Sequence, residues 1–155
     1  MIAEQSKDSP NVISCPPLVF LTALLGGFLL NWLFRLPSFW FLPITGGIIG
    51  MAGSALGLWG VHAMHRAGTS VRPDLPVMAL VTDGPFRYTR NPLYMAVTTI
   101  YVGIALSTGV LWLPVTLVPA LFVVHWKIVR REEQFLEWKF GDRYRSYKLR
   151  VRRWV

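Results

Sequence analysis

GPFRYTRNPLY, Gly84 to Tyr94, stands between two long apolar runs, and its reading decides what kind of molecule this is. It holds two arginines, two tyrosines, a threonine and an asparagine, and Pro92 opens the hydrophobic segment that follows. Every polar group at the edge of a hydrocarbon layer must find water or a partner, so a segment that merely reversed the chain would carry fewer of them. The stretch therefore reads as a site. Its counterpart is the acidic pair Glu132-Glu133, which reappears after the last apolar run has ended.

Composition supports a membrane setting. Of the 155 residues, 53% are hydrophobic and 14% aromatic, and the charges are confined to a few places. That is the profile of an integral membrane protein. The net charge of +8 could indicate a nucleic-acid binder, but ten of the sixteen Lys and Arg lie from Lys127 onward, directly after an apolar segment. Cytoplasmic flanks of membrane helices carry such an excess, so no nucleic-acid partner is expected. Cys15 is the single cysteine, which excludes an intrachain disulfide.

Working outward, the chain is expected to be all-α and polytopic, with about four transmembrane helices in one domain over residues 1–155. Residues 1–14 form a polar N-terminal tail. A first span runs from about Pro17 to Phe34, long enough to cross ~30 Å of hydrocarbon. A second runs from about Phe39 to Met64, opens with the interface cluster Phe39-Trp40-Phe41, and carries Gly46, Gly50, Gly53, Gly57 and Gly60. Those glycines step 4, 3, 4, 3, which places them on one helix face where another helix can approach backbone to backbone. Residues 65–91, with prolines at 73, 76 and 85, form an ordered or functional loop. The third span, Pro92 to about Leu106, and the fourth, Val110 to about Ile128, form a helical hairpin around Ser107-Thr108-Gly109. The Lys/Arg excess places both termini and the 65–91 loop in the cytoplasm.

Past the fourth span the sequence is periodic. Leu136, Phe140, Tyr144, Tyr147, Val151 and Trp154 step 4, 4, 3, 4, 3, while Arg143, Arg145, Lys148, Arg150 and Arg152 occupy other faces. This predicts a basic amphipathic C-terminal helix. Taken alone it reads as an anchor on anionic headgroups; its aromatic stripe also fits a lid packed over residues 84–94.

GPFRYTRNPLY resembles the G-x-[FY]-[RK]-x-x-R-[HN]-P-x-Y signature of the isoprenylcysteine carboxyl methyltransferase and phospholipid methyltransferase superfamily. EEQFLEWKFGDRYRSYKLRVRRW resembles its second signature, EE-x-x-L-x-x-x-F-G-x-x-Y-x-x-Y-x-x-x-V-x-R-W. The two occur in family order, separated by one hairpin, and the resemblance covers about residues 69–155. It implies an integral membrane enzyme using S-adenosylmethionine, with no Rossmann-type domain; the chain indeed has no glycine-rich strand-to-helix turn. It further implies a lipid-soluble or membrane-delivered acceptor, in the manner of isoprenylcysteine carboxyl methyltransferase, although no residue separates carboxylate, amine, thiol or hydroxyl acceptors.

Methyl transfer from a sulfonium needs a donor and a nucleophile held in line, with water kept out. Glu132 and Glu133 suit the cationic or hydroxyl parts of the donor, Arg87 or Arg90 its carboxylate, and Tyr88, Tyr94 or Phe140 its adenine. The residues expected at the reacting centre are Arg90, Asn91 and Glu133. Those expected to hold the cofactor are Arg87, Tyr88, Arg90, Asn91, Pro92, Tyr94, Glu132, Glu133 and Phe140. Many relatives have His where this chain has Asn91, so a titrating imidazole is missing there. His62 and His65 share a helix face without a third ligand, and no metal site is expected. Two other classes compete: a membrane reductase with a related helical core, and a non-catalytic membrane scaffold.

Overall fold

The computed structural model describes residues 16–37, 41–71 and 77–154. The N-terminal tail 1–14, the pair Phe39-Trp40 and the prolines at 73 and 76 lie outside the described residues. Every regular element described is helical. Helix α1 spans Pro16–Leu33, α2 Pro43–Arg66 and α3 Pro92–Thr108, with a 3-10 turn at Gly84–Arg87 before α3. Helix α4, Trp112–Val123, continues through a π-helical segment, Val124–Val129, into α5, Arg130–Phe140; α6 is Asp142–Arg150.

The glycine stripe of α2 is an internal packing face. Gly46, Gly53 and Gly60 are buried, while Ile44, Met51 and Leu58, also seven residues apart, are each more than 70% exposed. Seven residues are close to two helical turns, so the two sets mark opposite faces. The glycine face meets α3, the most extensive helix contact in the molecule. A Cβ on Gly53 would stand 2.9 Å from the carbonyl oxygen of Ala96, and one on Gly103 would stand 2.7 Å from that of Gly46. Backbones this close leave no room for side chains. The outward face, with nothing but apolar groups at 44, 51 and 58, suits hydrocarbon and not water.

The hairpin forms, but its legs diverge. Gly109 adopts a left-handed φ of 67° and its N–H caps Ala105, after which α3 packs mainly on α2 while α4 packs mainly on α1. Phe20, Tyr101, Leu113, Leu117, Val124, Ile128 and Val129 make the core between them, and the Tyr101 and Thr116 hydroxyls meet at 2.8 Å.

Two features depart from the sequence reading. The helix expected as the fourth span does not end near Ile128: Trp112–Phe140 is one apolar-to-polar helix of 29 residues, so Glu132 and Glu133 ride on its continuation. The π segment sets their direction. At about 100° per residue an ordinary helix would put Val124 and Glu133, nine apart, half a turn out of phase; the wider i→i+5 turns take up more residues per turn, and Val124, Ile128, Val129 and Glu133 are all buried. The second departure is that the C-terminal amphipathic helix is broken twice. Gly141, at φ 51°, separates α5 from α6, and Val151 is extended at φ −122°, ψ 129°. Tyr144 and Tyr147 still face inward, but Val151 and Trp154 belong to an extended tail, because the backbone turns extended at Val151 where the periodic pattern assumed a straight helix.

By length and composition two helices can cross a membrane, Pro43–Arg66 and Trp112–Phe140, and two shorter apolar ones, Pro17–Leu33 and Pro92–Thr108, lie beside them.

Candidate functional site

Pro85 and Pro92 bracket the polar stretch and are both fully buried. The 3-10 turn places Phe86 under α6, where the Tyr147 hydroxyl donates to its carbonyl at 2.7 Å. From Thr89 the chain runs alongside the C-terminal tail. The Arg90 N–H donates to the Arg152 carbonyl at 3.0 Å, and the Arg153 carbonyl accepts from both Thr89 Oγ1 and Asn91 Nδ2 at 3.1 Å. Thr89 Oγ1 also accepts the Asn91 N–H. The tail thus accepts from the Thr89 hydroxyl, the Arg90 N–H and the Asn91 side-chain amide, as buried donors require.

This docking brings three charges together. Arg153 forks onto Glu133, with Nε to Oε1 at 3.0 Å and Nη2 to Oε2 at 2.6 Å. Arg90 Nη1 stands 3.0 Å from the same Oε1, and the Arg90 and Glu133 side chains are only 9% and 8% exposed. That contact is close enough for charge attraction, yet its angle makes no hydrogen bond: Arg90 Nε and Nη1 are buried without a hydrogen-bond partner. A second acidic contact lies one residue earlier, where the Tyr94 hydroxyl donates to Glu132 Oε1 at 2.8 Å. Tyr144 is buried against the triad. Desolvation, reinforced by the negative charge of Glu133 and opposed by Arg90, pushes its phenol up to about 12, so it stays a neutral hydroxyl. The hydrogen bond to Glu133 likewise raises the pKa of Arg153.

These groups border a cavity of about 690 Å³. Its walls are mostly apolar, from Phe20 on α1, Leu58 and Val61 on α2, Val97 and Ile100 on α3 and Leu136 on α5, and among the described residues its charged lining is Arg90, Glu132 and Glu133. A large apolar cavity with a few convergent polar groups is the usual form of a small-molecule site.

Of the residues singled out from sequence, the structure brings Arg90, Asn91, Pro92, Tyr94, Glu132 and Glu133 to this cavity. It does not bring Arg87, Tyr88 or Phe140. Arg87 is exposed; Tyr88 is 69% exposed and leans on the ring of Trp59 at 6.2 Å; Phe140, the last residue of α5, is half-buried away from the lining. The 3-10 turn is responsible for the first two, since it directs two successive side chains outward before Thr89 turns in. Sequence reasoning missed Arg153, whose one available signal was the Arg before Trp at the close of the second signature. It also missed Tyr144 as a lining residue of the site and not merely part of a helical stripe.

The phospholipid methyltransferase family model matches residues 41–143, about two thirds of the chain, and the chain belongs to that family of membrane methyltransferases. It is 30% identical over 106 residues to the phosphatidyl-N-methylethanolamine N-methyltransferase of Emericella nidulans, a match covering 67% of this chain and 52% of that protein. An uncharacterized protein of Haemophilus influenzae is 44% identical over 50 residues, 32% of this chain and 76% of that one. The chain thus spans about half the length of the first of these relatives. No solved structure matches.

Proposed function

We propose that this chain is a membrane methyltransferase that transfers a methyl group from S-adenosylmethionine to the amine of a phospholipid headgroup. The observation that carries the proposal is Arg90: a buried guanidinium with two nitrogens lacking a hydrogen bond, bordering an otherwise apolar cavity beside the Tyr94–Glu132 pair. The Glu133 contact balances the charge of Arg90 but leaves these buried nitrogens without a hydrogen bond, a cost that a ligand acceptor would offset. The cofactor carries a carboxylate, an ammonium, hydroxyls and an aromatic base, and the cavity offers a complement to each class. Arg90 with Asn91 suits the carboxylate, Glu132 suits an ammonium or hydroxyl, Pro92, Tyr94 and the apolar wall suit the base, and Glu133 is the counter-ion that Arg90 and Arg153 share. Arg90 and Asn91 thereby face the donor, with Glu133 behind them as the shared counter-ion of the two arginines.

When bound, the cofactor supplies an electrophilic methyl on a sulfonium; the acceptor lone pair forms the new bond as the carbon–sulfur bond breaks, and its electrons stay on sulfur. The chain contributes alignment and exclusion of water. A phospholipid amine is favoured because the family and the Emericella nidulans relative bear phospholipid names; nothing comparable supports an isoprenylcysteine-like acceptor, and the reductase and scaffold readings have no observation of their own.

Residues 1–155 would form one domain. Helices α1, α2, α3 and Trp112–Phe140 would cross the bilayer as four spans, about 27, 36, 26 and 44 Å long at ~1.5 Å per residue, with both termini and the cofactor site on the cytoplasmic side. The experiment is incubation of the detergent-purified protein with methyl-labelled S-adenosylmethionine and phosphatidylethanolamine, or its monomethyl form, in mixed micelles. Label in N-methylated phospholipid is expected. Label only in a carboxyl ester of a prenylated cysteine, or in neither lipid, would overturn the acceptor assignment.

A further inference from the structure

Glu133 faces two arginines, and they are not equivalent. Arg153 takes both carboxylate oxygens in a fork at 3.0 and 2.6 Å, while Arg90 approaches one oxygen with one nitrogen and makes no hydrogen bond to it. A fork-to-fork pair is the strongest geometry open to a carboxylate and a guanidinium. If Arg153 were absent, the side chain best placed to take that geometry would be Arg90, already within 3.0 Å. We infer that Arg153 is a positioning residue that keeps Arg90 from closing a fork of its own on Glu133, so that Arg90 touches Glu133 with one nitrogen only and keeps donor hydrogens for an anionic group in the cavity.

The tail is built to hold Arg153 in that role. Its own carbonyl is fixed by Thr89 and Asn91, the preceding carbonyl by the Arg90 N–H, and the following Trp154 packs on the core and near His125, with ring centroids 6.0 Å apart. The backbone that carries Arg153 is thus tied to the backbone that carries Arg90. Docking of the tail and freeing of Arg90 are one event: an undocked tail removes the fork, and Glu133 then captures the receptor. Neither the family relationship nor the proposed reaction requires this arrangement; it follows from the unequal contacts of two cations with one carboxylate.

The inference rests on the proposed cofactor, and its test separates the two. Affinities of the purified protein in detergent are measured by calorimetry for S-adenosylhomocysteine and for 5′-methylthioadenosine, which lacks the amino-acid end with its carboxylate and ammonium. The ratio of the two reads what the amino-acid end contributes, and its change on substitution at position 153 reads the share that runs through Arg90. Arg153→Gln should lower that ratio about tenfold, equivalent to about 1.4 kcal/mol, by letting Glu133 occupy Arg90. Arg153→Lys should lower it too, since an ammonium covers one oxygen and leaves the other to Arg90; it serves if Arg153→Gln does not fold. The decisive variant is Arg153→Gln combined with Glu133→Gln. With the competitor gone, Arg90 is free again and the ratio should recover most of the loss, whereas an Arg153 that only braces the fold would leave the double variant as poor as the single one. An unchanged ratio in the single variants, or no recovery in the double, overturns the inference. A wild-type protein that binds neither nucleoside overturns the cofactor assignment and this inference with it.

Discussion

The phenol of Tyr94 donates a 2.8 Å hydrogen bond to Glu132, joining the first turn of α3 to α5 across the wall of the cavity. With Arg90 and Glu133 it ties the polar stretch before α3 to the acidic pair on the continuation of α4 at two points, one neutral donor and one charged. Tyr94→Phe keeps the ring and deletes the donor. It should lower stability by about 1–3 kcal/mol, the usual cost of leaving a buried acceptor unpaired, read as a lower thermal midpoint in detergent. An unchanged midpoint would mean that water or another group serves Glu132 equally well.

The glycine face makes a graded prediction. Gly103→Ala places a methyl against the Gly46 carbonyl, whereas Gly50→Ala meets nothing within 4 Å. The first should cost about 1–3 kcal/mol, typical of overpacking; the second should be neutral or slightly stabilising, since alanine favours the helix. Equal midpoints for the two variants would contradict the backbone-to-backbone packing of α2 on α3.

What could be read in advance follows from the physics of each pattern. A stripe of glycines at helical spacing has few explanations besides close packing, so a close-packed face on α2 was legible, while the identity of α3 as its partner was not. The 84–94 stretch and Glu132-Glu133 were legible because polar groups are conspicuous against an apolar background. The π segment was not, since between Leu121 and Val129 only His125 and Lys127 interrupt the apolar residues, too few markers to fix a phase. Nor was the role of Arg153 readable from composition: it lies among Arg150, Arg152 and other cations, and only the turn to extended backbone at Val151 aims it inward. Arg87 and Tyr88 were misplaced for the converse reason, because a 3-10 turn presents side chains differently from the extended loop a Gly-Pro start implies.

Truncation after Arg150 tests the tail as a unit. It removes the fork on Glu133 and the carbonyls that accept from Thr89, Arg90 and Asn91, while leaving every helix intact. The shortened protein should remain in the membrane fraction and lose at least tenfold in S-adenosylhomocysteine affinity, about 1.4 kcal/mol or more. Full retention of affinity would reduce the tail to an anchor.

Orientation is open to chemical labelling. With Cys15→Ser as background, Asp83→Cys places a thiol at an exposed position just before the 3-10 turn. Four spans with a cytoplasmic basic C-terminal region predict modification from the cytoplasmic side in sealed vesicles of known orientation; modification only from the opposite side would require a different number of crossings.

The central claim is that this cavity holds S-adenosylmethionine through Arg90, and calorimetric titration of the detergent-purified protein with S-adenosylmethionine, set beside NADPH and repeated on Arg90→Ala, tests it most directly. The account predicts saturable binding of S-adenosylmethionine alone, weakened at least tenfold in Arg90→Ala, about 1.4 kcal/mol or more. Binding of NADPH in its place, or S-adenosylmethionine binding that Arg90→Ala leaves untouched, would contradict it.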